Sequence, residues 1–229
     1  MTLHVYENLE QGTDAWLQAR CGIVTASVVG QLITAKTVKP AANDYSRALT
    51  AALVAERITG HVEPAAWSKD MERGELAEPY ARDAYAEHKG VTVDQVGFMV
   101  RTHPLFGYKL GYSPDGLVGD DGLLEIKSPR QKAHLSTILA DEVPLHYMAQ
   151  CQTGLLVSGR EWLDFISYNA GMPLFIKRVT PDKRWQEAIT EAVANFEANA
   201  AQMIAAYNKA AIRYPDTERI DFYAEMELL

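Results

Sequence analysis

Residues 111–128, GYSPDGLVGDDGLLEIKS, constrain the fold of this chain more than any other stretch. Ser113-Pro114-Asp115-Gly116 is a turn sequence, and the glycines and aspartates that follow supply a second turn, so two short extended runs fold back on one another. In the second run alternate side chains share a face. Leu124 and Ile126 then look toward a core, while Glu125 and Lys127 share the opposite face. The hairpin connection returns Asp115 beside Glu125.

Two carboxylates so placed repel one another and suit a hard divalent cation, Mg²⁺ or Mn²⁺, which takes oxygen ligands and keeps several waters. Lys127 would sit beside a metal-bound water, orienting it, or deprotonating it if the cation and partial burial lower the amine's pKa. The pattern alone is not specific. An Asp, a variable gap and Glu-x-Lys arise on the order of once by chance in a chain of this size. A solvated same-face pair on a surface hairpin explains Glu125 and Lys127 equally well.

The 229 residues suffice for one sizeable α/β domain, and no linker, repeat or low-complexity tract divides them, so a single domain over 1–229 is expected. A formal net charge of −8 argues against a broad nucleic-acid-coating surface but leaves room for a local basic groove. Cys21 and Cys151 are the only thiols, too few for a disulfide framework or a Cys-rich metal site, and read as buried filler. MTLHVYENLEQGTDAW has neither the basic start nor the apolar run of a signal peptide, and no stretch approaches the ~18 apolar residues of a membrane helix. A cytoplasmic protein with no membrane partner is expected.

Spacing and caps predict a helix over Thr13–Arg20 and a short one from near Val28, capped by Thr25 or Ser27. Another begins at Asn43 or Asp44, carries Tyr45, Leu49, Leu53 and Ile58 on its apolar face and stops at Gly60; a third runs from Asp70 to His88. Between Val91 and Lys127 the period changes to two, through Val93, Val96, Phe98 and Val100. Helices near Gln131–Ala140 and Leu145–Val157, strands near Glu161–Asn169 and Leu174–Val179, and one long Ala-rich helix over Asp182–Arg213 follow. This order predicts an α/β fold, a central mixed sheet of about five strands flanked by helices.

Arg20 and Ser27 suggest an anion site, because a serine-capped helix start offers free N–H groups and an adjacent arginine grips phosphate oxygens in bidentate fashion. A capping serine and a surface arginine would look the same. Glu78 has a local partner in Arg82 one turn on, and Gln150 could stand at the solvent edge of PLHYMAQCQTGLL. His103, His134 and His146 fit no metal spacing and read as surface or partly buried residues. Trp16 and Trp67 read as core rather than base-stacking platforms.

SPDG…LEIKSP resembles the Pro-Asp…(Asp/Glu)-x-Lys signature of the restriction-endonuclease-like nuclease superfamily. More narrowly, WLQARCGIVTAS, RGELAEPYARDAY, YSPDGL, LEIKSP and YMAQCQTGL resemble, in this order from Trp16 to about Leu156, the motifs of the phage lambda-type 5′–3′ exonucleases, the YqaJ-like viral recombinase family. Five motifs in order are far more specific than three residues.

The resemblance implies a restriction-endonuclease-like core. It implies two Mg²⁺ ions, with Mn²⁺ as a substitute: Asp115, Glu125 and the backbone carbonyl of Ile126 on the catalytic ion and Glu78 on the second. Lys127 would serve the attacking water, Gln150 would reach into the site, and Ser113 and Tyr147 would support it. Arg20 and Ser27 would hold the 5′-phosphate. The family's further basic residue after this serine has no match in spacing, which leaves Lys36 and Lys39 both open.

Also implied is processive digestion of linear double-stranded DNA from 5′-phosphorylated ends to 5′-mononucleotides, by a ring-shaped homotrimer of phage or prophage origin. The 3′ strand left behind would pass to a single-strand annealing protein. A ring would confine cations to its bore, while the acidic tail DTERIDFYAEMELL faces outward. Two rivals stay open: an endonuclease or junction resolvase of the same superfamily, and a non-catalytic DNA-binding recombination scaffold.

Overall fold

The computed structural model describes residues 2–63 and 68–220; Trp67 and residues 221–229 of the acidic tail lie outside the described residues. The chain opens with β1 (Thr2–Tyr6) and α1 (Asp14–Arg20), whose Thr13 cap accepts from the Trp16 N–H. β2 (Val24–Thr25), a four-residue 3₁₀ turn (Val29–Leu32) and a small hairpin of β3 (Ile33–Thr34) and β4 (Lys39–Pro40) lead to α2 (Asp44–Thr59). An Asn43–Ser46 capping box starts α2, and Gly60 stops it at φ 66°, a backbone state that glycine adopts without a Cβ clash. α3 (Lys69–Lys89) is followed by β5 (Phe98–Thr102), β6 (Lys109–Tyr112), β7 (Gly116–Val118) and β8 (Gly122–Lys127). α4 (Gln131–Ala140) and α5 (Leu145–Ser158) precede β9 (Trp162–Ser167) and β10 (Phe175–Val179), and α6 (Lys183–Ala211) follows with Asp182 as its cap.

The α/β class stands, but the strands form two four-stranded mixed sheets, ordered β1-β5-β6-β2 and β10-β9-β8-β7, in place of one sheet of about five. The physical reason is the corner at Pro114. β6 ends at Tyr112 in the first sheet and β7 begins at Gly116 in the second. A proline has no N–H to continue a ladder, so the chain changes sheets there. β1, unforeseen in the sequence, is an exposed run held to β5 by antiparallel pairing, His4 opposite Val100. Tyr45 points to solvent rather than to the α2 core face.

β8 lies parallel to β9 and antiparallel to β7, so it is interior to its sheet and buried along almost its whole length. Parallel pairing with helices on both faces removes the solvent side that simple alternation would supply. On one face Leu123 joins a core with Cys151 and Leu155 of α5 and with Phe165. On the other, Leu124 and Ile126 pack with Ala81 and Tyr85 of α3. Glu125 and Lys127 therefore look toward α5. Along α6, Trp185, Ile189, Val193 and Phe196 recur at helical spacing and cover the first core. Among the described residues no helix is long and apolar enough to cross a membrane.

Candidate active site

Burial decides first between the two readings of Glu125 and Lys127. Glu125 is 0% exposed, so the pair is not a solvated surface pair. Lys127 Nζ stands 2.6 Å from Glu125 Oε1, and Gln150 Nε2 donates to the same oxygen at 2.5 Å. Gln150 thus reaches into the site by engaging Glu125 directly. Tyr147, one turn earlier on α5, presents its ring 5.6 Å from Lys127 Nζ. Tyr112 closes the site from β6, its hydroxyl donating to Glu125 Oε2 at 3.4 Å and to the Leu124 carbonyl at 3.3 Å. α5 comes this close because residue 154 is glycine: a Cβ there would lie 2.8 Å from the Tyr112 ring.

The β7–β8 register, Gly116 opposite Leu124, continues to set Asp115 opposite Glu125. Asp115 Oδ2 accepts from the Ile126 N–H at 2.6 Å, which fixes the carboxylate at the strand edge. From α3, Arg82 donates to the Asp115 carbonyl at 2.9 Å and pairs with Glu78. Glu78 is therefore both an Arg82 partner and a neighbour of the Asp115 charge.

The electrostatics follow from this crowding. Burial, with the Asp115 charge adding to it, pushes Glu125 up to about 7, although Lys127 opposes the shift. Glu78 also reaches about 7, through burial and then Asp115, against Arg82 and Lys127. Asp115 is raised by burial against the pull of Lys127, the Ile126 N–H and Arg82. For Lys127 burial acts downward, but Glu125 and Asp115 outweigh it, and the amine lies above its usual range. The protein's own groups, with no cation bound, thus keep Lys127 an ammonium.

Three acids against two cations leave a negative excess of buried and half-buried oxygen ligands, the donor chemistry of a hard divalent ion. Among the described residues no three His, Cys, Asp or Glu form a ready-made cage. Glu125 Oε1 is held by Lys127 and Gln150, so an ion would compete with both for it. The donor set fits the ion in kind.

A second group adjoins the first through Ser113. Arg20, in the last turn of α1, donates to Ser113 Oγ at 3.1 Å, Thr25 Oγ1 at 3.3 Å and Ser27 Oγ at 3.2 Å. Its guanidinium lies over the Trp16 ring, 3.9 Å from the centroid, and Trp16 Nε1 donates to Ser113 Oγ at 3.0 Å. Burial lowers the Arg20 pKa to about 10, which still leaves it a cation, with Glu56 acting upward. Its direct partners are hydroxyls, so its charge is not cancelled by a bonded carboxylate, and Arg20 is poised for an anion.

The expected helix N-terminus does not contribute. The 3₁₀ turn is capped by Val28 without a side-chain bond, so neither Thr25 nor Ser27 is a cap. Thr25 and Ser27 bond Arg20 and each other instead. Lys36 and Lys39 stand exposed on the β3–β4 hairpin, and neither bonds Arg20 or Ser27. Trp16 is half-buried beneath Arg20 rather than in the core. Sequence reasoning also missed Tyr112 and Arg82 in the site, although both fall inside the stretches YSPDGL and RGELAEPYARDAY. His134, fully buried between Ser167 and the Pro173 carbonyl, is structural, as is buried Cys151.

Residues 15–161 match the YqaJ-like viral recombinase domain. The chain belongs to that family. The YqaJ-like span includes every residue of both groups just described. An alkaline exonuclease, LHK-Exo from Laribacter hongkongensis, is 34% identical and superposes with a TM-score of 0.76 over 87% of this chain and 98% of its own. The same enzyme in complex with dAMP gives 35% identity and a TM-score of 0.76. A phage-related exonuclease from Haemophilus somnus 129PT shares the fold at 13% identity, with a TM-score of 0.57 over 80% of this chain and 96% of that one. No protein of curated function matches the sequence significantly. This YqaJ-like chain is an exonuclease homologue with the restriction-endonuclease-like arrangement of mixed sheet and flanking helices.

Proposed function

We propose that this protein is a Mg²⁺-dependent 5′–3′ exonuclease that removes 5′-mononucleotides from 5′-phosphorylated ends of linear double-stranded DNA. The observation that carries the reading is the single corner Ser113–Asp115. Ser113 belongs to the Arg20 cradle and Asp115 to the carboxylate–lysine centre. A terminal phosphate in the cradle therefore lies beside the centre that cuts, a geometry suited to release of one nucleotide at a time. The relative's dAMP is a deoxynucleoside monophosphate, the product class this geometry would yield.

In this mechanism Asp115, Glu125, the Ile126 carbonyl and Glu78 would hold the Mg²⁺ ions. When bound, the ions neutralise phosphate charge and make a nearby water more acidic. Lys127, held as ammonium, would orient the attacking water and offset charge growing on the phosphoryl oxygens. Gln150 and Tyr112 hold the Glu125 carboxylate so that it keeps one orientation through turnover. Arg20, flattened on Trp16, would grip the 5′-phosphate with donors not needed by Ser113, Thr25 and Ser27. The proposal extends to a ring-shaped homotrimer that threads the duplex, which reconciles a net charge of −8 with a DNA substrate, and to a single-strand annealing protein that receives the 3′ strand.

The test is incubation of linear duplexes, with and without a 5′-phosphate, in Mg²⁺ or EDTA. Mononucleotides should appear from phosphorylated 5′ ends only in Mg²⁺, and Arg20→Ala should abolish the preference for the phosphorylated end. Internal fragments, attack on covalently closed circles, or turnover in EDTA would refute the reading.

A further inference from the structure

The protein acts on DNA in the reading above, and on that basis we propose a second anion site: the cleft between the start of α3 and the loop leaving β8 grips a DNA backbone phosphate away from the scissile bond. The cleft measures about 550 Å³ and is lined by Lys69, Arg73, Arg130 and Lys132, with Asp70 as its one acid and Asn169 at its edge. Four cations against one carboxylate, in a chain of net charge −8, mark a local reversal of the field.

The cleft is held rigidly to the catalytic strand. Arg73 Nη1 and Asn169 Nδ2 both donate to the Pro129 carbonyl, at 3.5 and 2.9 Å, two residues beyond Lys127. Asp70 takes Arg130 through two bonds of 2.9 Å each and stands 3.6 Å from Arg73. It thereby orients both guanidiniums while neutralising only one charge, and Arg130, 77% exposed, keeps further donors free for a planar grip on phosphate.

Distance places the site among the nucleotides next to the cut. Arg130 follows Lys127 by three residues, an extended reach of at most ~10 Å. That is roughly three base-pair rises. The cleft can therefore meet the strand being digested or the one retained, and the chemistry it recognises, a phosphodiester, is the same in both.

The decisive measurement is anisotropy binding of a 5′-phosphorylated duplex with a 3′ overhang, in Ca²⁺, by the full chain and by an Arg130→Gln/Lys132→Gln double variant of unchanged melting temperature. The variant should bind about tenfold more weakly at 0.1 M salt, with the slope of log K against log salt reduced by about 1, as the loss of one phosphate contact requires. In Mg²⁺ its KM should rise about tenfold, with kcat within about twofold. Methylphosphonates placed one at a time in each strand should weaken the wild type and spare the variant at one position, which names the strand. Lys183→Gln/Lys209→Gln on α6 removes the same charge and should change neither Kd nor slope. Wild-type Kd and slope in the first variant, equal weakening in the α6 control, or no sensitive methylphosphonate position would overturn the site. A wild type that releases no nucleotide in Mg²⁺, while the Arg130/Lys132 variant still binds more weakly, would sink the exonuclease reading and leave the phosphate site standing.

Discussion

Glu125 and Asp164 are both buried carboxylates on neighbouring strands of one sheet, and they face opposite sides of it. Glu125 looks toward α5 and meets Lys127, Gln150 and, at longer range, Tyr112, with Asp115 and Glu78 close by. Asp164, opposite Leu124 in the register, looks toward α3. It accepts two bonds from Arg178 at 2.8 and 2.9 Å and a third from the Tyr85 hydroxyl at 2.8 Å. Arg178 in turn lies 3.7 Å over the Trp162 ring, and its pKa is raised chiefly by its bond to Asp164. Equal burial thus accompanies opposite chemistry. Asp164 has donors matched to its charge, whereas Glu125 shares its cation with other acids and is pushed up to about 7. The unmatched side is where an added cation would lower the energy, and the matched side is where one would have nothing to do.

The largest effect that could break this contrast is on catalysis. Glu125→Gln keeps the side chain's shape and should cut nucleotide release by at least about a thousandfold, roughly 4 kcal/mol of transition-state stabilisation. Its unfolding free energy in urea should move by no more than about 1 kcal/mol, because Asp115 still faces Lys127. Asp164→Asn should do the reverse. Breaking a buried pair costs about 3–5 kcal/mol, and since half-exposed Arg178 can turn to water the expected loss is about 2–3 kcal/mol, with kcat retained. If Glu125→Gln unfolded the protein as readily as Asp164→Asn, the two carboxylates would not differ in the way claimed.

The same contrast explains what could be read from the sequence. Glu125, Lys127 and Asp115 were legible because local rules place them: alternation along one strand and a Pro-Gly corner fix their side and their proximity. Helix limits were legible for the same reason, with Asn43, Asp182 and Gly60 acting within a turn or two of themselves. The division of the strands into two sheets was not, since β1 and β5 pair across about a hundred residues. Nor was the Asp164–Arg178 pair, whose strands read as ordinary β runs and whose third member, Tyr85, comes from α3. For Arg20 and Ser27 a helix cap was expected, but a hydrogen bond between them and tertiary contact of Arg20 with Ser113 hold them together instead. The direction of the Lys127 pKa depends on summed charges from several elements, which no local pattern encodes.

The smallest expected effect sharpens the contrast through pH. Glu125 and Glu78 move from a usual value of 4.5 up to about 7 on folding. The folded state then binds more protons than the unfolded state between those limits, so without Mg²⁺ these groups stabilise the fold most below 4.5 and lose that contribution as pH rises toward 7. Mg²⁺ requires the ionised carboxylates, so its apparent affinity should rise about tenfold per pH unit for each proton displaced and level off above about 7. Thermal melts with and without saturating Mg²⁺ isolate this effect, because groups distant from the site titrate equally in both and cancel in the difference. The Mg²⁺-induced rise in Tm should be small at pH 5.5, grow through pH 7 and flatten by pH 8. In Glu125→Gln the rise should shrink at every pH, while Asp164→Asn should melt lower yet keep the wild-type Mg²⁺ increment. A pH-independent increment, or one abolished by Asp164→Asn, would place the cation on the wrong carboxylate and erase the distinction between the two faces of the sheet.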